Sequence, residues 1–396
     1  MANTILTSDI LAREALMVLE NNLVMGALAD RRYESEFGSG RQGDAIRIRR
    51  PASFTAAEFT NNGSNSVNNQ NATELATTLT LEKLFDVSFA VTAKEMALSI
   101  DDFSSNLMRP AMAAMAQKID DYILSKFNEV GGMAEVSEVG ASMTTIGHIA
   151  AIVQKLNEQK APMQGRSLVV SPKQMTSLYS ISEFAKASER GDGGTAIREA
   201  SLGRFMGMDI YMDQNINTFT AGTMAGDANR DALAIHADSA SGAKGDTSIS
   251  IDGAAGAGVT VTAGDVLRIT HPSGKKFDYV VTTASTTGFN SKGTVSISPP
   301  LYEDIDENDV VVFPLDSSAA FEQNLAFTEN AIALAMVPLD EPMGPGTDSS
   351  VVNHNGYSMR ASITYNHAKK IDEVSLDVLV GAKVVQPEMA VRIPTA

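Results

Sequence analysis

The sequence predicts an α+β fold with an all-β domain inserted into it, and three observations lead to this expectation. Apolar side chains at helical spacing predict a long amphipathic helix over residues 104–130. Runs with period-two alternation, typical of half-buried strands, precede and follow that helix. From Gly222 to about Pro314 the composition changes to Gly, Ser, Thr, Asp and Val, with about six short strand-like runs. Such a series of short strands indicates a small barrel or sandwich.

Two strand-like runs flank a polar segment in the first hundred residues. A helix is expected over residues 8–29, and the run DAIRIRRP after it alternates isoleucine with arginine. A longer run over residues 78–91 alternates apolar with polar side chains. Between them lies FTNNGSNSVNNQNAT (59–73), which is small, polar and rich in asparagine. The pattern predicts a long two-stranded arm that has one apolar face.

The segment between the long helix and Gly222 indicates a compact α/β subdomain. A helix is expected over residues 143–160, followed by the buried strand of RSLVVSPKQMTSLYSISEF, an N-cap at Ser171 and a helix that begins at Pro172. After the all-β region, NLAFTENAIALAMVPL is interpreted as a strand followed by a short apolar helix. Residues 357–393 are expected to be almost entirely strand.

Composition excludes several classes of protein. The hydrophobic fraction of 43% is sufficient for a folded core, and no apolar run is long enough to cross a membrane. The N-terminus lacks the pattern of a secretory signal, so synthesis in a cytoplasm is expected. The absence of cysteine excludes disulfides and thiolate metal sites. A net charge of -17 argues against a protein that coats DNA, and the basic cluster RIRR is interpreted as an exposed strand face in preference to a phosphate site.

The search for catalytic, cofactor and metal sites gives no assignment. Asp304, Asp306 and Asn308 match the first positions of a calcium loop, but the glycine and glutamate that such a loop requires are absent. The five histidines show no metal-ligand spacing, and the SGAK and GAAGAG segments lack the context of a nucleophile or phosphate loop. We therefore expect no cofactor, no metal and no enzymatic activity. An α/β hydrolase remains an alternative that would need a cluster of convergent polar residues.

The predicted arm poses a physical problem. A two-stranded ribbon is marginal in water on its own, and an apolar face on it requires a partner surface. The simplest partner is a second copy of the same chain.

The order of these elements resembles the major capsid protein of tailed bacteriophages, which has the HK-97-like (Johnson) fold. More narrowly, it looks like the coat-protein family of phage P-22, which an inserted β-barrel distinguishes from the minimal fold. The segments GRFMGMDIYMDQNI, GDVLRITHPSGKKFDYVVTTAS and NLAFTENAIALAMVPL look like the strand that leads to the insert, the insert itself and the return from it.

The resemblance implies a division of the chain into seven segments. These are an N-terminal helical arm (1–37), an E-loop hairpin (38–92), a peripheral domain with a spine helix (93–142), the first part of an axial domain (143–221), an inserted β-barrel domain (222–316), the axial return (317–356) and peripheral strands (357–396). Because both ends of the insert return to one place, a fragment of about residues 222–314 is expected to melt cooperatively.

In the resembled family the E-loop lies across the neighbouring subunit, so contacts between copies are expected along this arm. Its arginines are expected to pair with acidic groups of a neighbour, with plain solvation as the alternative, and its tip amides to form hydrogen bonds. The candidate contact residues are Arg47, Arg49, Arg50, Phe59, Asn62, Asn68, Asn69, Phe85 and Phe89.

The function implied is self-assembly, through pentamers and hexamers, into an icosahedral shell that encloses double-stranded DNA without sequence-specific binding. The resemblance also implies a scaffolding protein and a portal protein as partners, with assembly in the bacterial cytoplasm and a final location in the virion. The alternative is another non-enzymatic virion protein, such as a decoration or tail-tube subunit, which the all-β insert would suit. The long helix and the arm before it favour the shell protein.

Overall fold

The computed structural model describes most of the chain in separate ranges. These are residues 8–38, 43–50, 56, 76–92, 107–134, 140–185, 202–226, 233–235, 242–252, 260–270, 274–284, 292–305, 309–315, 320–342 and 347–395. The helices are α1 (Ser8–Asn22), α2 (Met25–Leu28), α3 (Glu34–Gly38), α4 (Arg109–Leu124), α5 (Ile146–Glu158), α6 (Pro172–Tyr179) and α7 (Ser182–Ala185).

The strands outnumber the helices. They are β1 (Ala45–Arg49), β2 (Ala76–Thr80), β3 (Lys83–Thr92), β4 (Arg166–Val170), β5 (Arg204–Phe205), β6 (Met208–Met212), β7 (Thr218–Thr220), β8 (Leu233–Ile235), β9 (Ser248–Asp252), β10 (Val266–Thr270), β11 (Lys276–Val281), β12 (Lys292–Ser298), β13 (Val310–Val312), β14 (Ala320–Thr328), β15 (Ile332–Val337), β16 (Thr347–His354), β17 (Tyr357–Asn366), β18 (Ile371–Val384) and β19 (Ala390–Thr395).

These strands form two large sheets, a closed barrel and a small ribbon. The six-stranded sheet has the order β19-β14-β4-β6-β5, with β7 paired to β14. The five-stranded sheet has the order β15-β18-β17-β16, with β3 paired to β18. The barrel closes in the order β10-β11-β12-β9-β8-β13, and among the described strands β1 pairs with β2 alone. The mixed helix and sheet content agrees with the predicted α+β class.

The predicted spine helix is present as α4, and its apolar stripe lies in the core. Met112, Met115, Ile119 and Ile123 are fully buried in the cluster that also contains the inner face of α1. Proline is tolerated at Pro110 because the first turn of a helix has no intrahelical partner for its amide. After Leu124 the chain continues as a 3-10 turn (Ser125–Glu129), so the regular helix is shorter than predicted.

The first predicted helix is interrupted after Asn22. α1 ends there, and α2 begins at Met25 on the far side of a break. The carboxylate of Asp120, on α4, accepts hydrogen bonds from the backbone amides of Val24 and Gly26, at 2.8 and 3.0 Å. A partner 96 residues away in the sequence therefore competes with continuation of the helix, and no local pattern encodes it.

The base of the predicted arm is a hairpin, but its returning strand divides in two. β1 and β2 pair antiparallel from Ala45 opposite Thr80 to Arg49 opposite Ala76. β3 then pairs with β18 along its whole length, so it belongs to the five-stranded sheet and not to the arm. The end of β2 passes close to Gly381 of β18, and it can do so because glycine lacks a Cβ, which at this position would collide with the carbonyl oxygen of Thr80. Residues 51–55 and 57–75, including the asparagine-rich tip, lie outside the described residues.

The apolar face at the base of the arm packs against the chain's own body. We call β1 and β2 together the limb base. Ile46, Ile48 and Leu79 of the limb base are buried in one cluster with Ala333 and Ala335 of β15. The expectation that only a second copy covers this apolar face is therefore wrong for the limb base.

The short apolar helix expected after β14 is a strand. β15 pairs antiparallel with β18 from Ile332 opposite Val384 to Val337 opposite Leu379. On its other edge, the amide of Asp30 donates to the carbonyl of Ile332 at 2.8 Å. Five of its six residues are buried, so the run has no polar positions that would reveal its period.

The chain enters the barrel from, and returns to, two paired strands of the six-stranded sheet. The chain leaves that sheet at β7 and returns at β14, and these two strands pair from Thr218 opposite Glu322 to Thr220 opposite Ala320. Sheet membership differs from the predicted division at the C-terminal side: β15 and β16, assigned to the axial return, join the sheet of β17 and β18, whereas β19 joins β14. The domain boundaries themselves stay a prediction.

Truncation of the fully buried Leu79 tests the packing of the limb base. We expect Leu79→Ala to lower the free energy of unfolding by about 2–5 kcal/mol, because it removes buried methyl groups and leaves a cavity. Urea denaturation of the unassembled chain measures this change. The control is Thr78→Ala, on the exposed face of the same strand, where a change within about 0.5 kcal/mol is expected. Equal stability of Leu79→Ala and the parent would contradict the packing described here.

Candidate assembly surface and barrel junction

The limb base presents arginines on the side opposite its buried isoleucines. Arg47 and Arg49 are exposed on β1, as the alternation predicts. Arg50, which follows β1, forms an ion pair with Glu388 of its own chain, with 2.7 Å between Nη2 and Oε1. The expected pairing of Arg50 with a neighbouring subunit is therefore corrected, because a carboxylate within the chain already binds it. The other contact candidates on the arm tip lie outside the described residues: Phe59, Asn62, Asn68 and Asn69.

The two aromatic candidates on β3 face the chain's own core. Phe85 and Phe89 are half-buried and pack against the cluster that contains α4. The ring of Phe85 meets that of Tyr122 edge to face, with 6.1 Å between centroids. Because both rings already have partners within the chain, their proposed role between copies is not supported by their position. The alternating pattern identified the apolar face correctly, and their contact with a neighbouring copy stays a prediction.

A buried carboxylate joins the barrel to the rest of the chain. Asp278, on β11, lies directly opposite Arg268 on β10 and accepts its Nε at 2.6 Å. Two groups from outside the barrel bind the same carboxylate: Lys155 Nζ of α5 at 2.8 Å and the amide of Met133 at 3.0 Å. Burial favours the neutral acid, but the hydrogen bond from Arg268 and the charge of Lys155 outweigh it, so the pKa of Asp278 is held below its ordinary value.

A fully buried arginine forms a second connection at this junction. Arg392, on β19, donates through Nη1 to the carbonyl of Gly264 at 2.6 Å and through Nε to Gln323 at 3.1 Å. Its guanidinium lies 5.0 Å from the ring centroid of Phe127 and 5.3 Å from that of Phe219. Burial lowers the pKa of Arg392 to about 9. Removal of a partner of Arg392 would destabilise the fold, because an unpaired buried charge costs several kcal/mol.

The connection between the first helices and α4 also depends on a buried acid. Asp120 is buried on α4 and accepts the backbone amides that begin α2. Burial raises the pKa of Asp120 from its ordinary 3.8 to about 7, although the hydrogen bonds from the amides of Val24 and Gly26 oppose this change. The charge state of this residue therefore changes near neutral pH.

The described residues contain no cluster of three or more His, Asp or Glu side chains that is arranged to hold a metal ion. In the rejected calcium loop, Asp304 accepts the amide of Lys244 at 2.7 Å, while Asp306 and Asn308 lie outside the described residues. Within the described part of the chain, no helix is long and apolar enough to cross a membrane.

An open groove lies beside α5. It is lined by Ala150, Val153, Gln154, Asn157, Glu158 and Met206. These side chains include only one ionisable group, so the groove lacks the convergent acids and bases of an active site.

Comparison with known proteins gives a family match and a match of fold. Residues 73–268 match the family model described as "Phage capsid protein". A solved structure from Mycobacterium phage Che8 has a TM-score of 0.52 and 14% sequence identity, covering 93% of this chain and 90% of that one. The capsid of cyanophage P-SCSP1u gives a TM-score of 0.47 at 9% identity, covering 90% and 84% of the two chains. No curated protein matches the sequence.

The matched segment contains β3, the spine helix, the α/β region and the first barrel strands. Just under half of the chain therefore matches phage capsid proteins in sequence, and nearly the whole chain shares the HK-97-like fold with a phage structure.

Replacement of Asp278 tests the barrel junction. We expect Asp278→Asn to lower the free energy of unfolding by about 3–5 kcal/mol, because Arg268 and Lys155 then remain buried without their counter-charge. Chemical denaturation of the unassembled chain gives the value. The matched control is Glu303→Gln, since Glu303 forms an exposed barrel ion pair with Lys275 and a change of at most about 1 kcal/mol is expected. Equal effects of the two substitutions would refute the role of Asp278.

The raised pKa of Asp120 gives a prediction about pH. Between pH 4 and 7 the folded chain holds a proton on Asp120 that the unfolded chain releases, so this residue's contribution to stability declines as pH rises through that range. The unfolding free energy of the parent minus that of Asp120→Asn is therefore expected to decrease from pH 4 to 7 and then to level off. Asp121→Asn, on the partly exposed neighbouring residue, is the control. Parallel curves for the parent and Asp120→Asn would contradict the assignment.

Proposed function

We propose that this chain is the repeating subunit of an icosahedral head shell of a tailed phage, in which copies associate as pentamers and hexamers around double-stranded DNA. The observation that carries the proposal is the match of residues 73–268 to phage capsid proteins, placed on a fold that a phage structure shares across nearly the whole chain. The chain performs no reaction in this role, and it acts through repeated contacts with its own copies.

The geometry of the limb base supports a specific contact between copies. β1 and β2 are held on the body by buried side chains, so the residues between Arg50 and Ala76 begin and end at a defined place. Arg47 is exposed on the outward face of β1, and every copy carries a net charge of -17. Acidic groups of a neighbouring copy are therefore the proposed partners of Arg47. The side-chain amides of Asn62, Asn68 and Asn69 are proposed to form hydrogen bonds in the same contact between copies.

The barrel supports a finer proposal, a coat protein of the P-22 type. It lies between two strands that pair with each other, as an inserted domain requires. Its core continues into the main hydrophobic cluster, and Lys155 from α5 binds Asp278. The isolated fragment over residues 222–314 would lose these contacts, so we expect its cooperative melting at a lower temperature than in the whole chain.

The proposed partners follow from the same role. A scaffolding protein and a portal protein would direct assembly in the host cytoplasm, and the packaged DNA would lie inside the finished shell. The acidic chain suits an enclosure that does not bind DNA tightly, because phosphate contacts require basic side chains.

Assembly of purified chain tests the proposal. We expect closed shells or capsomers by electron microscopy and sedimentation at high protein concentration. Arg47→Glu is expected to reduce the assembled fraction, because it places a negative charge against an acidic neighbour. Lys244→Glu, an equal change of charge on an exposed barrel residue, is the control. A chain that remains strictly monomeric at high concentration, with or without a scaffolding protein, would contradict the function.

A further inference from the structure

The carboxylate of Glu388 interacts with two distant parts of the chain. Arg50, directly after the limb base, donates Nη2 to Oε1 of Glu388 at 2.7 Å. The two side chains are only 14% and 27% exposed, so solvent screens this pair less than a surface pair. Burial raises the pKa of Tyr302, which belongs to the barrel segment after β12, and the neighbouring carboxylate of Glu388 raises it further. Glu388 thus binds Arg50 beside the limb base and acts electrostatically on a tyrosine of the barrel.

The Tyr302 side of this interaction is rigidly supported. Its ring lies among other aromatic side chains of the barrel, 5.5 Å from the ring of Phe277 and 5.6 Å from that of Tyr279. Its backbone amide donates to the hydroxyl of Tyr279 at 3.2 Å. These contacts fix the side chain of Tyr302 relative to the barrel.

Glu388 itself is held on the body. It lies in a 3-10 turn (Pro387–Met389), between β18 and β19. The amide of Val385, just before this turn, donates to the carbonyl of Ala331 at 2.9 Å, and the side chain of Val385 packs in the cluster of the limb base. The turn therefore places a carboxylate where limb base, barrel and C-terminal strands meet.

We propose that Glu388 is a positioning residue that couples the limb base to the barrel through Arg50 and Tyr302, and so fixes the direction in which the chain leaves β1 for a neighbouring copy. This inference rests on the proposed function for its last step only. The coupling of limb base and barrel is a property of a single chain.

A distance measurement on the unassembled chain tests the coupling. The sequence has no cysteine, so Ala45→Cys on β1 and Ala284→Cys after β11 provide two unique, exposed labelling positions. Pulsed electron paramagnetic resonance is expected to give one narrow distance in the parent and a broader or shifted distribution in Glu388→Ala. Arg50→Met is expected to have the same effect, and Glu303→Ala, which removes a more exposed barrel carboxylate, should have none. Parent-like distributions in both Glu388→Ala and Arg50→Met would overturn the proposal.

An exchange of charges tests the consequence for assembly. We expect Arg50→Glu and Glu388→Arg each to raise the concentration needed for assembly about tenfold, which corresponds to about 1.4 kcal/mol per subunit. The double variant is expected to recover most of the loss, whereas a role in general stability would give additive losses and no recovery. Additive losses would overturn the proposal. If the parent chain itself forms no shells, the proposed function fails, and the distance measurement still decides the coupling.

Discussion

The burial of Asp278 is the constraint on which the arrangement of this subunit depends. A carboxylate without solvent requires charged or polar partners, and two of them, Lys155 and the amide of Met133, come from outside the barrel. The barrel therefore cannot change its position without exposing an unpaired charge. Arg392 adds a second requirement, because its guanidinium reaches the carbonyl of Gly264 on the barrel from β19. These contacts and the shared hydrophobic cluster make the barrel part of one body, although it is inserted in the sequence.

The same principle applies to the limb. Its apolar base is covered by β15 and Val385 of its own chain, so the fold supplies a fixed starting point for a contact between copies. The limb base therefore adds to the stability of a single folded subunit, and the contact between copies proposed above would use its exposed face.

The sequence predicted the parts of the fold that have a clear local pattern. The stripe of α4, the alternation of β1 and β3, and the N-cap of α6 at Ser171 are all present, the last with Ser171 Oγ accepting the amide of Gln174 at 3.3 Å. The helix expected at residues 332–337 was wrong because a run buried on both sides shows no period. The family resemblance predicted the HK-97-like fold, but it did not indicate that Phe85 and Phe89 pack against the chain's own core.

The residues that hold the parts together were missed for a different reason. Arg268 and Asp278 lie opposite each other on adjacent strands, so a register for that hairpin would have suggested their pair. The other two pairs form only through tertiary structure. Lys155 lies 123 residues before its partner Asp278 in the sequence, and Glu388 lies 338 residues after its partner Arg50. The detectable signal for Arg392 was that it is the one charged residue of a fully buried strand.

Hydrogen exchange on the unassembled whole chain tests the central claim, that barrel and body form one cooperative unit. If the buried contacts of Asp278 and Arg392 join them, the slowest amides of β10 and β11 will open with the same free energy as those of β14 and β18, and destabilising agents will lower all four together. Exchange of the barrel strands through a separate opening of lower free energy, with the body sheets still protected, would contradict the account.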